Sequence, residues 1–520
     1  MNYKIVLSTL GQIVRVTGLL LSVPLLSAII MGEAGDRQIV CAFIVPMIIC
    51  LSLGTTLSMI KPSDKTLYAK EGIVIVGVGW IVVSVIGALP LTIGTLGREN
   101  FLDLSFIDWL FESVSGFTTT GSSILHATSN GHQIDLLYAC GCRSILLWRS
   151  FMHWIGGMGV LVFVLAMLPS LSGASGLHLM KQESTGPTVG KLVSKMSSTA
   201  RILYLIYAIM TAVEIVMLSL SLLFDGTMNV FHAFVLSFGT AGTGGFAATS
   251  ASLASHGLYV QVVVTVFMFL FGINFNLYFC LLMGKIKDVL KSEELRLYSA
   301  LMLIAIITIS LNVWASLGSI IDSYSNYANA LGEATFTVVS LMTSTGYAIA
   351  DFTVWPSLSQ GALIAVMFIG ACSGSTGGGF KCSRFLILVK SAIMRCRKVV
   401  NPRAVFTVKM DGKKIDDEVT AGVNGYFVIY ALILLLATFV IMIDVNALGA
   451  DSPIITAFTT SLTCLNNVGP GMTAIVGPNG SFFAFNGGIK ILLSVLMLFG
   501  RLEIYPILLL ISPRTYSRKA

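Results

Sequence analysis

Four stretches of small polar residues interrupt an otherwise oily chain. They read SGFTTTGSS around Gly121, FGTAGTGGFAA around Gly245, VSLMTSTGYAIAD around Gly346 and TCLNNVGPGM around Gly469. Their chemistry is that of oxygen. Threonine favours extended backbone, which presents successive carbonyls. Glycine takes positive φ and turns its carbonyl without a Cβ clash. Several such loops facing one another can replace the water shell of a cation, as rings of backbone carbonyls do in potassium channels with the sequence TVGYG. TTTGS and TSTGY lie close to that pattern. One Thr-Thr-Thr-Gly alone is more often a turn; four copies are a system.

The glycines stand 124, 101 and 123 residues apart, by subtraction of their positions. Each has the same surroundings. A long apolar run comes first, near 71–95, 200–224, 297–319 and 424–444. A short run follows, near 105–117, 229–239, 328–342 and 453–465. The polar stretch comes next, and then a second long run, near 144–168, 258–284, 360–397 and 487–512. A bilayer needs about 20 residues of helix, so the short runs predict re-entrant half-helices. Irregular backbone survives at membrane depth only where protein buries it or water reaches it, and four units around one axis supply both. The half-helices aim their C-terminal, partly negative ends at the centre, which favours a cation. The predicted fold is an all-α polytopic membrane protein, with an extra N-terminal helix pair at 1–70 and pore repeats at 71–170, 171–284, 285–400 and 401–520. Ten full spans result.

Composition agrees. Of 520 residues, 55% are hydrophobic and 11% charged, where soluble proteins carry about 25% charged residues. The polar stretch 381–421 is too short and too basic to fold alone. The first apolar run, near 7–31, carries Arg15 and lacks a small-residue cleavage site, so it reads as a retained helix rather than a signal peptide. Nine scattered cysteines fit neither a disulfide framework nor a zinc pattern. The formal charge of +7 suggests nucleic acid until its position is read. Residues 61–70, 181–201, 285–297, 381–414 and 514–519 hold 24 of the 32 Lys and Arg. This is the positive-inside bias; it puts both termini and these segments in the cytoplasm and argues against nucleic acid. The opposite loops carry Glu33, Asp36, Glu99, Asp103, Asp108, Asp135, Asp225, Asp322, Asp351, Asp444 and Asp451. They predict an acidic outer mouth that concentrates cations.

A second glycine cluster, GACSGSTGGGFK at 370–381, breaks the second long run of the third repeat. It is not a nucleotide-binding loop: GxxxxGK[ST] needs Lys directly after the last glycine, and here Phe380 intervenes before Lys381. Tight helix packing explains one or two glycines, not this cluster. Arg501 lies inside the last apolar run, with Glu503 two residues on; an ionisable residue there is a functional candidate, the alternatives being snorkelling or a pair with Glu503.

HWIGGMG at 153–159, GACSGSTGGGFKCSR at 370–384, NNVGPG at 466–471 and FGRLE at 499–503 carry a resemblance. The chain resembles the Trk/Ktr/HKT superfamily of potassium transporters, and within it the bacterial TrkH type, over nearly its whole length. The resemblance implies potassium uptake across the bacterial cytoplasmic membrane, with potassium the transported ion. It places a selectivity filter at Thr119, Thr120 and Gly121; Thr243, Gly244 and Gly245; Ser344, Thr345 and Gly346; and Asn467, Val468 and Gly469. GTGG in the second loop also permits a shift by one residue. Sodium-preferring relatives carry Ser at the first filter glycine; all four loops here keep Gly. The resemblance makes Gly374, Ser375, Thr376, Gly377, Gly378 and Gly379 an intramembrane gate loop, faced by Arg501 and, at its inner end, Lys381. It also implies a homodimer, surrounding membrane lipid, and a cytosolic nucleotide-binding ring of the TrkA type, for which 181–201 and 381–414 are the basic docking surfaces.

Two alternatives remain at the level of sequence. One is a sodium-conducting or sodium-coupled cation transporter of the same fold. The other is a membrane-embedded hydrolase using Ser373 or Ser375 with His153 or His232, which has no need of four filter-like loops. The topology is directly testable. A cysteine at Lys409, in a background without accessible native cysteines, is expected to resist an impermeant thiol reagent added outside intact cells. One at Asn479 is expected to react, and the reverse pattern inverts the topology.

Overall fold

The computed structural model describes residues 1–60, 69–159, 196–224, 226, 228–502 and 504–513. Most of Lys181 to Arg201, the 61–68 and 514–519 basic residues, Asp225 and Glu503 therefore lie outside the described residues. Among those described, six helices are long and apolar enough to cross a membrane: Tyr3–Ile30, Arg37–Ser58, Lys70–Thr95, Ala200–Phe224, Glu293–Leu317 and Asp417–Ala447. Their outward faces are bare apolar side chains, such as Leu435, Leu436, Phe439 and Ile443, as hydrocarbon contact requires.

The four short runs are helices at the expected places: Phe106–Phe117, Val230–Gly242, Tyr327–Met342 and Pro453–Leu465. Local chemistry starts each one. Ser105 and Asp108 form a reciprocal capping box on the first, Asn229 and Asn326 cap the second and third, and Pro453 opens the fourth. The caps accept from amides that a helix start otherwise leaves bare, and Pro453 has no amide to satisfy. Each short helix is almost wholly buried in its last two turns.

The long runs that follow the loops are not all continuous helices. The 258–284 run is bent by 90°, as Leu258–Phe271 and Phe275–Leu282. Asn274 causes the restart, its side chain accepting from the Asn276 amide at 3.0 Å. The 360–397 run is interrupted as the glycine cluster predicts, into Ser357–Ile369 and Cys382–Val400. Gly370 ends the first piece at φ 74° and Lys381 precedes the second at φ 79°. The 144–168 run, described to residue 159, forms the helix Arg143–Gly157, and the last run forms Gly487–Leu502 and Ile504–Ile511.

The N-terminal pair packs through glycines. A Cβ on Gly11 would meet Leu57 Cβ at 2.6 Å, and one on Gly54 would meet the Arg15 amide nitrogen at 2.7 Å. The helix axes thus approach as closely as small residues allow, which is how helices associate in lipid. The strands described are two-residue hairpins, Ala127–Thr128 with Gly131–His132 and Lys409–Met410 with Lys413–Lys414.

Candidate ion-conduction site

Each short helix ends in the same backbone figure. Thr119, Thr243, Ser344 and Asn467 take φ values of 54°, 53°, 59° and 53°. Two residues later Gly121, Gly245, Gly346 and Gly469 take 82°, 78°, 83° and 103°. The residue between them donates its amide to the carbonyl five positions back: Thr120 to Ser115 at 2.9 Å, Gly244 to Gly239 at 2.8 Å, Thr345 to Ser340 at 2.8 Å and Val468 to Thr463 at 3.0 Å. A non-glycine residue at positive φ is uncommon, and a β-branched one such as Thr119 or Thr243 is an outlier, worth about 1–3 kcal/mol of strain. The fourfold recurrence of positive φ at this place marks four equivalent loops, and it aligns Thr243, Gly244 and Gly245 with Thr119, Thr120 and Gly121, without the shift that GTGG allows.

The loops meet in a closed cycle. A Cβ on Gly121 would fall under 3.0 Å from the carbonyl oxygen of Gly244, one on Gly245 from that of Thr345, one on Gly346 from that of Val468, and one on Gly469 from that of Thr120. Every glycine of the repeat thus faces the middle carbonyl of the next loop, and the fourth faces the first. All four glycines line one cavity of about 360 Å³ that opens outward between the loops following them.

That vestibule is not acidic. Its lining contains no carboxylate; its ionisable members are His132 and Arg149. The carboxylates expected at the mouth stand outside this lining, and several hold local partners. Glu33 accepts from the amides of Arg143 and Ser144, and Asp36 pairs with Arg98 at 2.5 Å. Asp108 pairs with Lys490, Asp135 holds Ser250, and Asp444 holds Asn486.

On the other face of the ring lies the 370–381 loop. The Gly378 amide donates to Ser344 Oγ at 2.9 Å. A Cβ on Gly377 would sit 2.9 Å from the Thr343 carbonyl oxygen, and one on Gly378 would sit 2.6 Å from Asn467 Cβ. Gly379 lies against Asn466 and Gly374 against Asn274. Ser375 Oγ donates back to the Cys372 carbonyl at 2.6 Å. The fully buried Lys381 donates its Nζ to the Gly377 carbonyl. Arg501 donates to the Thr376 carbonyl at 2.6 Å, to the Gly156 carbonyl at 2.6 Å, and to that of Gly157. The structure therefore brings the loop residues, Lys381 and Arg501 together directly beneath the ring. It does not bring together a hydrolase: Ser373 is held by Glu294, Ser375 by its own loop, and His153 Nδ1 lies 2.8 Å from the Gly116 carbonyl.

Three groups of functional weight were not singled out from the sequence. Glu294, 4% exposed, accepts from the Ser373 amide at 2.6 Å, the Ser373 hydroxyl at 3.1 Å and the Ser383 amide at 3.1 Å. It thereby clasps both ends of the 370–381 loop. Acidic residues are common in a first helical turn, which hides it. The bend at 272–274 touches the same loop: the Cys372 amide donates to the Gly272 carbonyl at 3.1 Å and the Phe275 amide to the Gly374 carbonyl at 3.0 Å. The buried pair Arg149–Glu112 stands beside the vestibule.

The family profile described as "TrkH: Cation transport protein" matches residues 40–519. The chain belongs to the TrkH family. It is 31% identical over 517 residues to the Trk system potassium uptake protein TrkH of Escherichia coli (strain K12), covering 99% of each chain. It is 34% identical over 455 residues to the Trk system potassium uptake protein TrkG of the same strain, covering 87% of this chain and 86% of the other. The crystal structure of the potassium transporter TrkH from Vibrio parahaemolyticus superposes with a TM-score of 0.82 at 28% identity, covering 99% of this chain and 100% of that one. As a TrkH-family member the chain is a multi-pass membrane transport protein and not an enzyme.

The Glu294 clasp makes a prediction independent of transport. Glu294→Ala leaves the Ser373 and Ser383 amides without an acceptor. A hydrogen bond to a charged group contributes about 1.5–3 kcal/mol, so amide exchange at these two positions should quicken by roughly ten- to a hundredfold. Unchanged exchange there, with protection elsewhere intact, overturns the clasp.

Proposed function

We propose that this chain conducts potassium into the cell across the cytoplasmic membrane, through the ring at Thr119–Gly121, Thr243–Gly245, Ser344–Gly346 and Asn467–Gly469, under control of the 370–381 loop. The observation that carries this reading is the cyclic closure of the ring, each glycine against the next loop's carbonyl. Backbone oxygens held at fixed spacing take over an ion's hydration, and the four helix C-termini behind them favour positive charge. The glycine at all four positions supports potassium over the sodium alternative. The related proteins' potassium transport supports the same ion, and the chain's relation to Trk systems supports a homodimer with a cytosolic ring of the TrkA type. The charge bias supports cytoplasmic termini, and the recurring loop figure supports repeats near 71–170, 171–284, 285–400 and 401–520.

The loop blocks passage in two ways. It fills the space under Ser344 and Asn467, and it keeps Arg501 there. Two like unit charges about 4 Å apart repel by about 4 kcal/mol at an effective dielectric of about 20, enough to slow passage roughly a thousandfold. Opening requires the loop to leave Arg501 and Lys381.

Two experiments test this. Gly121→Ser places a side chain against the Gly244 carbonyl and should lower the potassium-to-sodium flux ratio in proteoliposomes several-fold. An unchanged ratio in well-folded protein removes the filter assignment. Deleting residues 375–378 should raise flux, as should Arg501→Ala. The double change should raise it by less than the product of the two, because one closure is lost only once. Abolished flux in the folded deletion variant would make the loop a scaffold rather than a gate.

A further inference from the structure

The pair Arg149–Glu112 has no counterpart in the other three repeats. Nine residues before the ring glycine stand Glu112, Leu236, Thr337 and Thr460, so the first short helix alone carries a charge there. Glu112 is fully buried and Arg149 is 1% exposed. Glu112 accepts from Arg149 Nε at 2.9 Å and from its terminal NH2 group. The same carboxylate accepts from the Ile124 amide at 2.9 Å and from the Ser123 hydroxyl at 3.0 Å. Arg149 also donates to Ser123 Oγ at 3.2 Å. Its guanidinium lies 4.1 Å from the ring centroid of Phe246, the residue directly after Gly245.

We infer that Glu112 and Arg149 are a positioning pair that sets the outer end of the first loop against the second, and so determines how well the ring discriminates between potassium and sodium. Resting on the filter reading above, the inference assigns these two residues to specificity. Glu112 holds the Ser123 hydroxyl and the Ile124 amide, two and three residues beyond Gly121. Arg149 carries that hold across to Phe246, one residue beyond Gly245. The two loops are the ones joined by the Gly121–Gly244 contact, so the strut spans the same joint from outside. The third loop uses a neutral brace: Ser340 Oγ donates to the Tyr347 carbonyl at 2.7 Å, and Tyr347 donates across to the Leu236 carbonyl of the second short helix at 3.1 Å. The pair also solves an electrostatic problem. Arg149 lines the vestibule, and a guanidinium there repels cations unless a carboxylate cancels it.

Removing one partner strands a buried charge, whereas replacing both with apolar groups is often tolerated for stability. The experiment therefore compares double variants of the full-length protein in proteoliposomes, reading the potassium-to-sodium flux ratio alongside thermal unfolding. Glu112→Leu with Arg149→Met leaves the Ile124 amide without an acceptor and should lower the ratio several-fold. Glu112→Gln with Arg149→Met keeps a carbonyl acceptor for Ile124 and Ser123 but loses the stack on Phe246, and should recover part of it. Arg149→Lys keeps the charge pair but not the planar stack on Phe246, and should lower the ratio in protein of near-normal stability. A wild-type ratio in both the Leu/Met and the Lys variants overturns the inference, as does an equal loss in the Leu/Met and Gln/Met variants. Gly121→Ser, run alongside, separates the two readings: if it too leaves the ratio unchanged, the filter assignment itself has failed.

Discussion

Between each ring glycine and the carbonyl oxygen of the next loop there is no room for a methyl group. Much of the chain is arranged to keep that distance. The contact needs positive φ at the glycine and a second positive φ two residues earlier. That strained figure survives only because the short helix behind it is rigid and buried, and because the amide of the middle residue is tied back to it. The short helices in turn are wedged by neighbours that come within contact of backbone. Gly500 stands against the Leu465 carbonyl, Gly156 against that of Phe117, and Gly242 against that of His153. A bulkier residue at any of these places shifts a whole short helix rather than one side chain.

Buried charge does the long-range fixing. Lys490–Asp108 joins the last repeat to the first across 382 residues of sequence. Arg149–Glu112 joins two elements of the first repeat, and Arg501 links the last repeat to the third and the first through three carbonyls. Such groups add little net stability, since desolvation offsets most of the attraction. What they add is register: each has one geometry that satisfies it, and any slip of a helix leaves a charge stranded.

The loops and short helices were legible in the sequence because a run too short to span, followed by threonine and glycine, has few other uses in a membrane. The second loop's register was not, since GTGG offers two glycines; only the φ pattern at Thr243 and Gly245 separates them. The bend at 272–274 was hidden because Gly272 and Asn274 sit in an apolar run, where one small and one polar residue usually serve packing. Glu294, Glu112 and Arg149 were illegible for a different reason. Their partners lie 79, 37 and 26 residues away, and nothing local marks them. Counting carboxylates likewise does not reveal that Glu33 accepts from the first amides of a neighbouring helix or that Asp444 holds Asn486.

All four loops belong to one polypeptide. In a ring built from four copies of one chain, any codon change alters every quarter at once, and most such changes are ruinous. Here a mutation touches one quarter and leaves three intact. Natural selection can therefore adjust this ring by single oxygens, trying a valine carbonyl at one corner and a threonine at another. Around one repeated contact this ring accordingly mixes Thr120, Gly244, Thr345 and Val468.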